Sequence, residues 1–171
     1  EVEVSIAEES IESEDVRLLM SIPGIDYYTA MLFINEIGDI KRFSSAAKLV
    51  SWLGLAPRVH QSGGTGYNGR ITKEGSPRVR SSIVQSARVA VRWDEHFKGK
   101  YRRIKTRRGD GKAIVAVARE MVVAMYHMLT RMERYRFSSE AFVKEKYKRL
   151  ERRVGNADKI RGRTPAGALS S

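Results

Sequence analysis

Apolar residues recur at helical spacing along most of this chain, separated by glycine, proline and serine. Residues 9–20 read as the end of a helix. Ser21-Ile22-Pro23-Gly24-Ile25-Asp26 then predicts a tight turn, since proline fixes one dihedral and glycine permits a left-handed one. Asp26 is placed to cap a helix over 27–37, whose apolar residues are Ala30, Leu32, Phe33, Ile34 and Ile37, and Gly38 ends it. Ser44 or Ser45 caps a third helix over 46–53, with Trp52 and Leu53 in the core and Gly54 as the stop. Ser76-Pro77 opens a helix to about Trp93, with Val79, Ile83, Val84, Ala87 and Val91 on its apolar face. Residues 111–134 carry the widest apolar face and predict the central core helix, its methionines filling gaps in the packing. A basic amphipathic helix is expected over 140–154. Residues 155–171 hold little that could pack and are expected to be disordered.

Helix–Ile-Pro-Gly-Ile–helix is the pattern of a helix-hairpin-helix. Its turn, around Gly24, and the helix N-terminus that follows favour a nucleic-acid phosphate. An ordinary helical corner has the same sequence signature. The fold class expected is mostly α: a helix-hairpin-helix-containing helical domain with one non-helical insertion.

That insertion is 57–72. It lacks helical periodicity and contains Gly63, Gly64, Gly66 and Gly69 between Val59 and Ile71, which predicts a small irregular β-hairpin or a Gly-rich loop. Ser62 sits within it beside Gly63 and Gly64. Arg58, Arg70, Lys73, Arg78 and Arg80 lie close in sequence, with Glu74 the one acid in the window. Glycines let backbone approach a ligand, and fixed cations stabilise the charge that builds up when a hydroxyl attacks a phosphodiester. The same composition also suits a loop that only grips phosphate. Ser76 fits better as a helix cap. Ser81 fits as a helical serine bonded to its own preceding turn.

Charge narrows the choice of partner. The 171 residues carry a net +12, which points to a polyanion, nucleic acid first, although a ribosomal or membrane-surface protein would share that balance and charge alone does not select DNA. The first fifteen residues carry seven acids and no base, a net −7. The rest of the chain must then stand at +19 to give the total of +12. Lys98, Lys100, Arg102, Arg103, Lys105, Arg107 and Arg108 form the densest basic cluster, with no acid among them, and are expected on nucleic-acid backbone. Tyr101 within it could stack on a base. Asp94 and Glu95 read as surface residues. The chain has no cysteine, and His60, His96 and His127 show no metal-ligand spacing, so no metal site is expected. His60 is two residues from Ser62 and would share a strand face with it. The apolar runs are broken by Arg and Glu, so no membrane span is expected. The start at a glutamate reads as a piece of a longer intracellular protein.

The ordered set Ile22-Pro23-Gly24-Ile25, Thr29-Ala30, Glu36-Ile37-Gly38-Asp39, Arg42-Phe43, Leu53-Gly54-Leu55-Ala56-Pro57, Gln61-Ser62-Gly63, Gly69-Arg70-Ile71-Thr72-Lys73, Gly75 and Arg80 resembles the C-terminal domain of the insertion-sequence-110 (116, 902) transposases. The resemblance implies a bridge-RNA-guided serine recombinase acting in transposition. Ser62 would be the nucleophile that forms a covalent 5′-phosphoserine with DNA. It also implies an N-terminal RuvC-like domain with a magnesium-binding acidic set. Nothing in this chain resembles that set, so no cofactor is expected here and magnesium is expected in the other domain. DNA, a bridge RNA and further copies of the full-length protein are the implied partners, in a prokaryotic cytoplasm at the nucleoid. The organisation expected is an acidic lead-in helix (1–20), the transposase domain (21–137), then a basic helix and tail (138–171). The rival reading is a non-catalytic helix-hairpin-helix module that binds DNA or RNA.

Overall fold

The computed structural model describes residues 12–62 and 65–160. For 58–62, 65–70 and 157–160 it describes the backbone alone. Most of the acidic lead-in, Gly63, Gly64, the tail beyond 160 and the side chains of Arg58, Ser62 and Arg70 lie outside the described residues.

The chain forms α1 (Glu14–Met20), α2 (Tyr27–Ile37), a short 3-10 helix (Ile40–Arg42), α3 (Ala46–Trp52), β1 (Pro57–Ser62), β2 (Thr65–Ile71), α4 (Pro77–Trp93), α5 (Glu95–Arg108), α6 (Asp110–Arg131) and α7 (Glu140–Ile160). It is mostly helical. The apolar pattern of α6 explains the centre. Ile114, Val117, Ala118, Met121, Val122, Met125, Met128 and Leu129 are all buried, and α1, α3, α4 and α5 pack around them. By length and composition α6 is long and apolar enough to cross a membrane, contrary to the expectation from the sequence, although Arg119 and Glu120 interrupt it. Half of that stretch is buried within the protein, because its apolar face forms the core.

Caps set the boundaries. Asp26 accepts from the Thr29 amide at 2.8 Å to start α2, and Ser45, rather than Ser44, caps α3. Ser76 precedes Pro77 but makes no side-chain cap bond. α6 ends at Arg131, earlier than 134. Met132, expected on the core face, is exposed there in the left-handed conformation at φ 55°.

Two further expectations fail, and the basic run 98–108, whose pattern indicated no element, lies on a full helix, α5. Its one fully buried anchor is Phe97, and its apolar signal is swamped by charge. Residues 155–160, expected to be disordered, continue α7. Asp94, read as a surface residue, is 5% exposed and accepts from the Phe97 amide at 2.9 Å, joining the end of α4 to the start of α5. Glu95 is exposed, as expected.

The Ser21–Asp26 turn is held from two sides. Ile22 and Ile25 are fully buried. The Ser21 hydroxyl donates to the Leu18 carbonyl at 2.6 Å and accepts from the Tyr135 amide at 2.9 Å. Lys146 of α7 donates to the carbonyls of Met20 (2.7 Å), Ile22 (2.9 Å) and Ile25. Burial pushes the Lys146 ammonium down to about 8, with Asp26 pulling the other way.

Candidate nucleic-acid interface and the strands that carry Ser62

A groove of about 1010 Å³ opens between α3, α5, α6 and the feet of the two strands. Its floor is aliphatic, including Val50, Ile104, Val115 and Val123. Seven cations line it: Lys73, Lys100, Arg103, Arg107, Arg108, Lys112 and Arg119. Glu120 is the one acid in the lining, and it is already engaged. The His96 ring lies 2.6 Å from it and the Lys100 ammonium 2.5 Å. Burial would raise its carboxyl, but those two contacts outweigh burial and hold it below the usual range. The Arg119 Nε is buried and has no hydrogen-bond partner. An aliphatic floor under a cationic wall suits a polyanion whose backbone meets the wall.

The basic cluster divides on this surface. Lys100, Arg103, Arg107 and Arg108 line the groove; Lys98, Arg102 and Lys105 do not. Lys98 pairs with Glu95 at 2.7 Å. Tyr101, a candidate for base stacking, donates its hydroxyl to Asp110, and Lys105 lies over its ring, 5.2 Å from the centroid. The Tyr101 hydroxyl, then Arg88 and Lys105, holds the Asp110 carboxyl below its usual range. Lys112 and Arg119 were missed because α6 reads as a core helix. Their spacing of seven, with Val115, Ala116 and Val123 between and beyond, marks one helical face and was the available signal.

Pro57 and Ile71 line the groove and pair across the foot of the strands. From there the register runs Val59↔Asn68, His60↔Tyr67, Gln61↔Gly66 and Ser62↔Thr65, with an irregularity between Pro57 and Val59. The strand rise puts Ser62 about 16 Å along β1 from the groove's edge.

The foot is clamped to the body. The Thr72 amide donates to the Ala56 carbonyl at 3.0 Å, and the Lys73 amide to Gly54 at 3.1 Å. A Cβ on Gly54 would lie 2.0 Å from the Glu74 carbonyl oxygen, and one on Gly75 would lie 2.2 Å from that of Trp52, so both positions require glycine. Arg80, expected at a phosphate, directs its guanidinium to the carbonyls of Glu74 (3.0 Å) and Leu53 (3.4 Å) and ties this joint together. Arg78 is exposed on the first turn of α4, outside the groove lining. Gly24, expected beside a phosphate, packs its Cα closely against the backbone of α4 at Ser86 and Ala90.

Among the described residues, no three acidic or histidine side chains converge to hold a metal ion.

The profile of the transposase family IS116/IS110/IS902 matches residues 16–102, just over half of the chain. The chain is 34% identical over 131 residues to the transposase for insertion sequence element IS1111A of Coxiella burnetii, covering 72% of this chain and 35% of that protein. It is 32% identical over 100 residues to the transposase for insertion sequence element IS1328 of Yersinia enterocolitica, covering 58% and 30%. It is 30% identical over 119 residues to the pilin gene-inverting protein of Moraxella bovis, covering 66% and 36%. The chain therefore spans about a third of the length of these relatives. The matched span holds both strands and the turn around Gly24, and on this match the chain belongs to the IS116/IS110/IS902 transposase family.

Proposed function

We propose that this chain is the serine-bearing strand-transfer domain of a DNA transposase, with Ser62 as nucleophile. The observation that supports the reading is the pairing of a strand that ends in Ser62 with a seven-cation groove at its foot. On this reading the Ser62 Oγ attacks a backbone phosphorus. The Oγ–P bond forms and the P–O3′ bond breaks, leaving a 5′-phosphoserine. The hydroxyl proton passes to a base, and the departing 3′ oxygen takes up a proton. The 3′-hydroxyl of the partner strand later reverses the exchange, and because the serine ester conserves the bond, no high-energy cofactor is needed. The groove holds the nucleic-acid backbone, with Lys73 in its lining and Arg58 and Arg70 on the strands near its edge adding positive charge there.

A bridge RNA that pairs with target and donor DNA, and a homo-oligomer that brings two serines together, complete the proposal. Magnesium belongs, on this reading, to a RuvC-like domain outside this chain. No cluster among the described residues fits it, and no step here runs through it.

The test is covalent trapping with the full-length protein, the element's flanking RNA, magnesium and labelled target and donor DNA. A protease-sensitive protein–DNA adduct should form with wild type and vanish with Ser62→Ala. Adducts of equal yield would move the nucleophile elsewhere. Strand transfer without any adduct would leave this domain a binding module.

A further inference from the structure

The outward face of α4 takes no part in the groove. α4 is 17 residues long and contains four arginines and no acid. Val79, Ile83, Ser86, Ala87 and Ala90 turn inward and are buried. The face left over carries Arg78, Ser81, Gln85, Arg88, Val89, Arg92 and Trp93, all exposed. Trp93 is 76% exposed, an unusual cost for so large an apolar side chain. Ser81, Ser82, Gln85, Arg88 and Arg92 also line a cleft of about 400 Å³ against Gly24 and Thr29, and that cleft shares no residue with the basic groove.

We infer that this face of α4 is a second nucleic-acid site, and that its ligand is B-form duplex DNA read through the major groove. The argument rests on spacing. Arg78 and Arg92 stand about 21 Å apart along the helix axis, with Arg88 about 6 Å closer. The B-DNA major groove is about 12 Å wide and admits one helix, so arginines at the two ends of such a helix meet the phosphate rows on its two sides. Between them are short hydrogen-bonding side chains, Ser81, Ser82 and Gln85, where base edges would lie, and glutamine pairs with adenine there. The middle of the α4 face itself carries no acid; the one carboxylate in the cleft lining is Asp26 across from it, which is engaged as the cap of α2 through the Thr29 amide. Arg88 has one competing contact, the Asp110 carboxylate at 3.5 Å; both partners are about half exposed, and the pair can yield to a phosphate. Duplex RNA fits poorly, because its major groove is deep and too narrow for side chains to read. Trp93, at the end of the stripe, would pack on the deoxyribose backbone.

The site needs no chemistry at Ser62, so it can be tested apart from the proposed reaction. The chain has two tryptophans, and Trp52→Phe leaves Trp93 as the one indole. The 171-residue chain carrying that change would be titrated with 20-base-pair DNA and RNA duplexes, following indole emission and the anisotropy of a fluorescein label together. The expected result is a saturable change in Trp93 emission with duplex DNA and none with duplex RNA. Arg92→Ala should lower the slope of log affinity against log salt by about one, and Gln85→Ala should flatten preference among DNA sequences. The groove variant Arg103→Ala/Arg107→Ala should keep the Trp93 response. Bound DNA with unchanged Trp93 emission would overturn the inference, as would an equal response to duplex RNA. Hydroxyl-radical footprinting of Trp93 in the wild-type chain gives the same decision without any substitution: protection by duplex DNA supports the site, and no protection overturns it.

Discussion

Gly24 and Ser86 touch through their backbones. A Cβ built on Gly24 would lie 2.3 Å from the Ser86 carbonyl oxygen, and Gly24 itself sits at φ +92°. The glycine of the Pro-Gly turn is therefore where the hairpin seats on α4. Gly24→Ala adds a clash with fixed backbone to a strained dihedral, and should cost about 2–5 kcal/mol of folding stability. Urea unfolding followed by circular dichroism measures it. A loss under 1 kcal/mol would mean that the turn can pull away from α4.

Lys146 gives a pH signature. Its ammonium is held near 8 in the folded chain, against an ordinary value of 10.5. Between those values the unfolded chain binds the proton more tightly, so stability rises with pH there, by at most about 1.4 kcal/mol per pH unit. Below 8 both states are charged and this contribution is flat. Lys146→Met should abolish the rise. It should also cost about 2 kcal/mol at neutral pH, by leaving the carbonyls of Met20, Ile22 and Ile25 without their donor. Denaturation of both proteins from pH 7 to 10 isolates the effect as their difference. Parallel curves would refute it.

Asp94 is a buried cap. Asp94→Ala removes the acceptor for the Phe97 amide and should cost about 1–2 kcal/mol, whereas Asp94→Asn should recover most of that. The midpoint of thermal unfolding reads both variants. Equal loss in the two would assign the role to charge instead of capping.

The groove cations should act on affinity alone. Arg103, Arg107 and Arg108 are exposed, so the triple alanine variant should melt close to wild type. Its nucleic-acid affinity should fall, and the salt slope should drop by up to about three. An unchanged slope would take these side chains off the phosphates.

How much of this was legible in the sequence depends on which forces dominated locally. The Asp26 cap, the Pro-Gly turn, the Pro77 start of α4 and the core face of α6 were readable because each is a local backbone or periodicity effect. α5 was not, since seven cations obscure a helix anchored by one buried phenylalanine. Asp94 reads as a surface acid until the chain folds back and buries it between α4 and α5. The serine window was visible as composition. That Arg80 would serve the joint at Leu53 and Glu74 was not, because the distant carbonyl, that of Leu53, lies 27 residues earlier and only the fold brings it near. Lys112 and Arg119 were hidden for the opposite reason: their helix is so apolar that its one cationic face reads as noise.

The Gly54–Gly75 joint has a mechanical consequence. The strands are an arm fixed at one end, so any yielding at the joint is magnified at the other. A rotation of about 10° there would carry the end of a strand about 16 Å long through roughly 3 Å. An in-line attack on phosphorus tolerates much less, since a misplacement of about 1 Å can cost a hundredfold in rate. If Ser62 is the reacting group, the stiffness of two glycines and Arg80, far from the chemistry, is a rate-determining property of the domain. Loosening the joint would then slow strand transfer without weakening the grip on DNA.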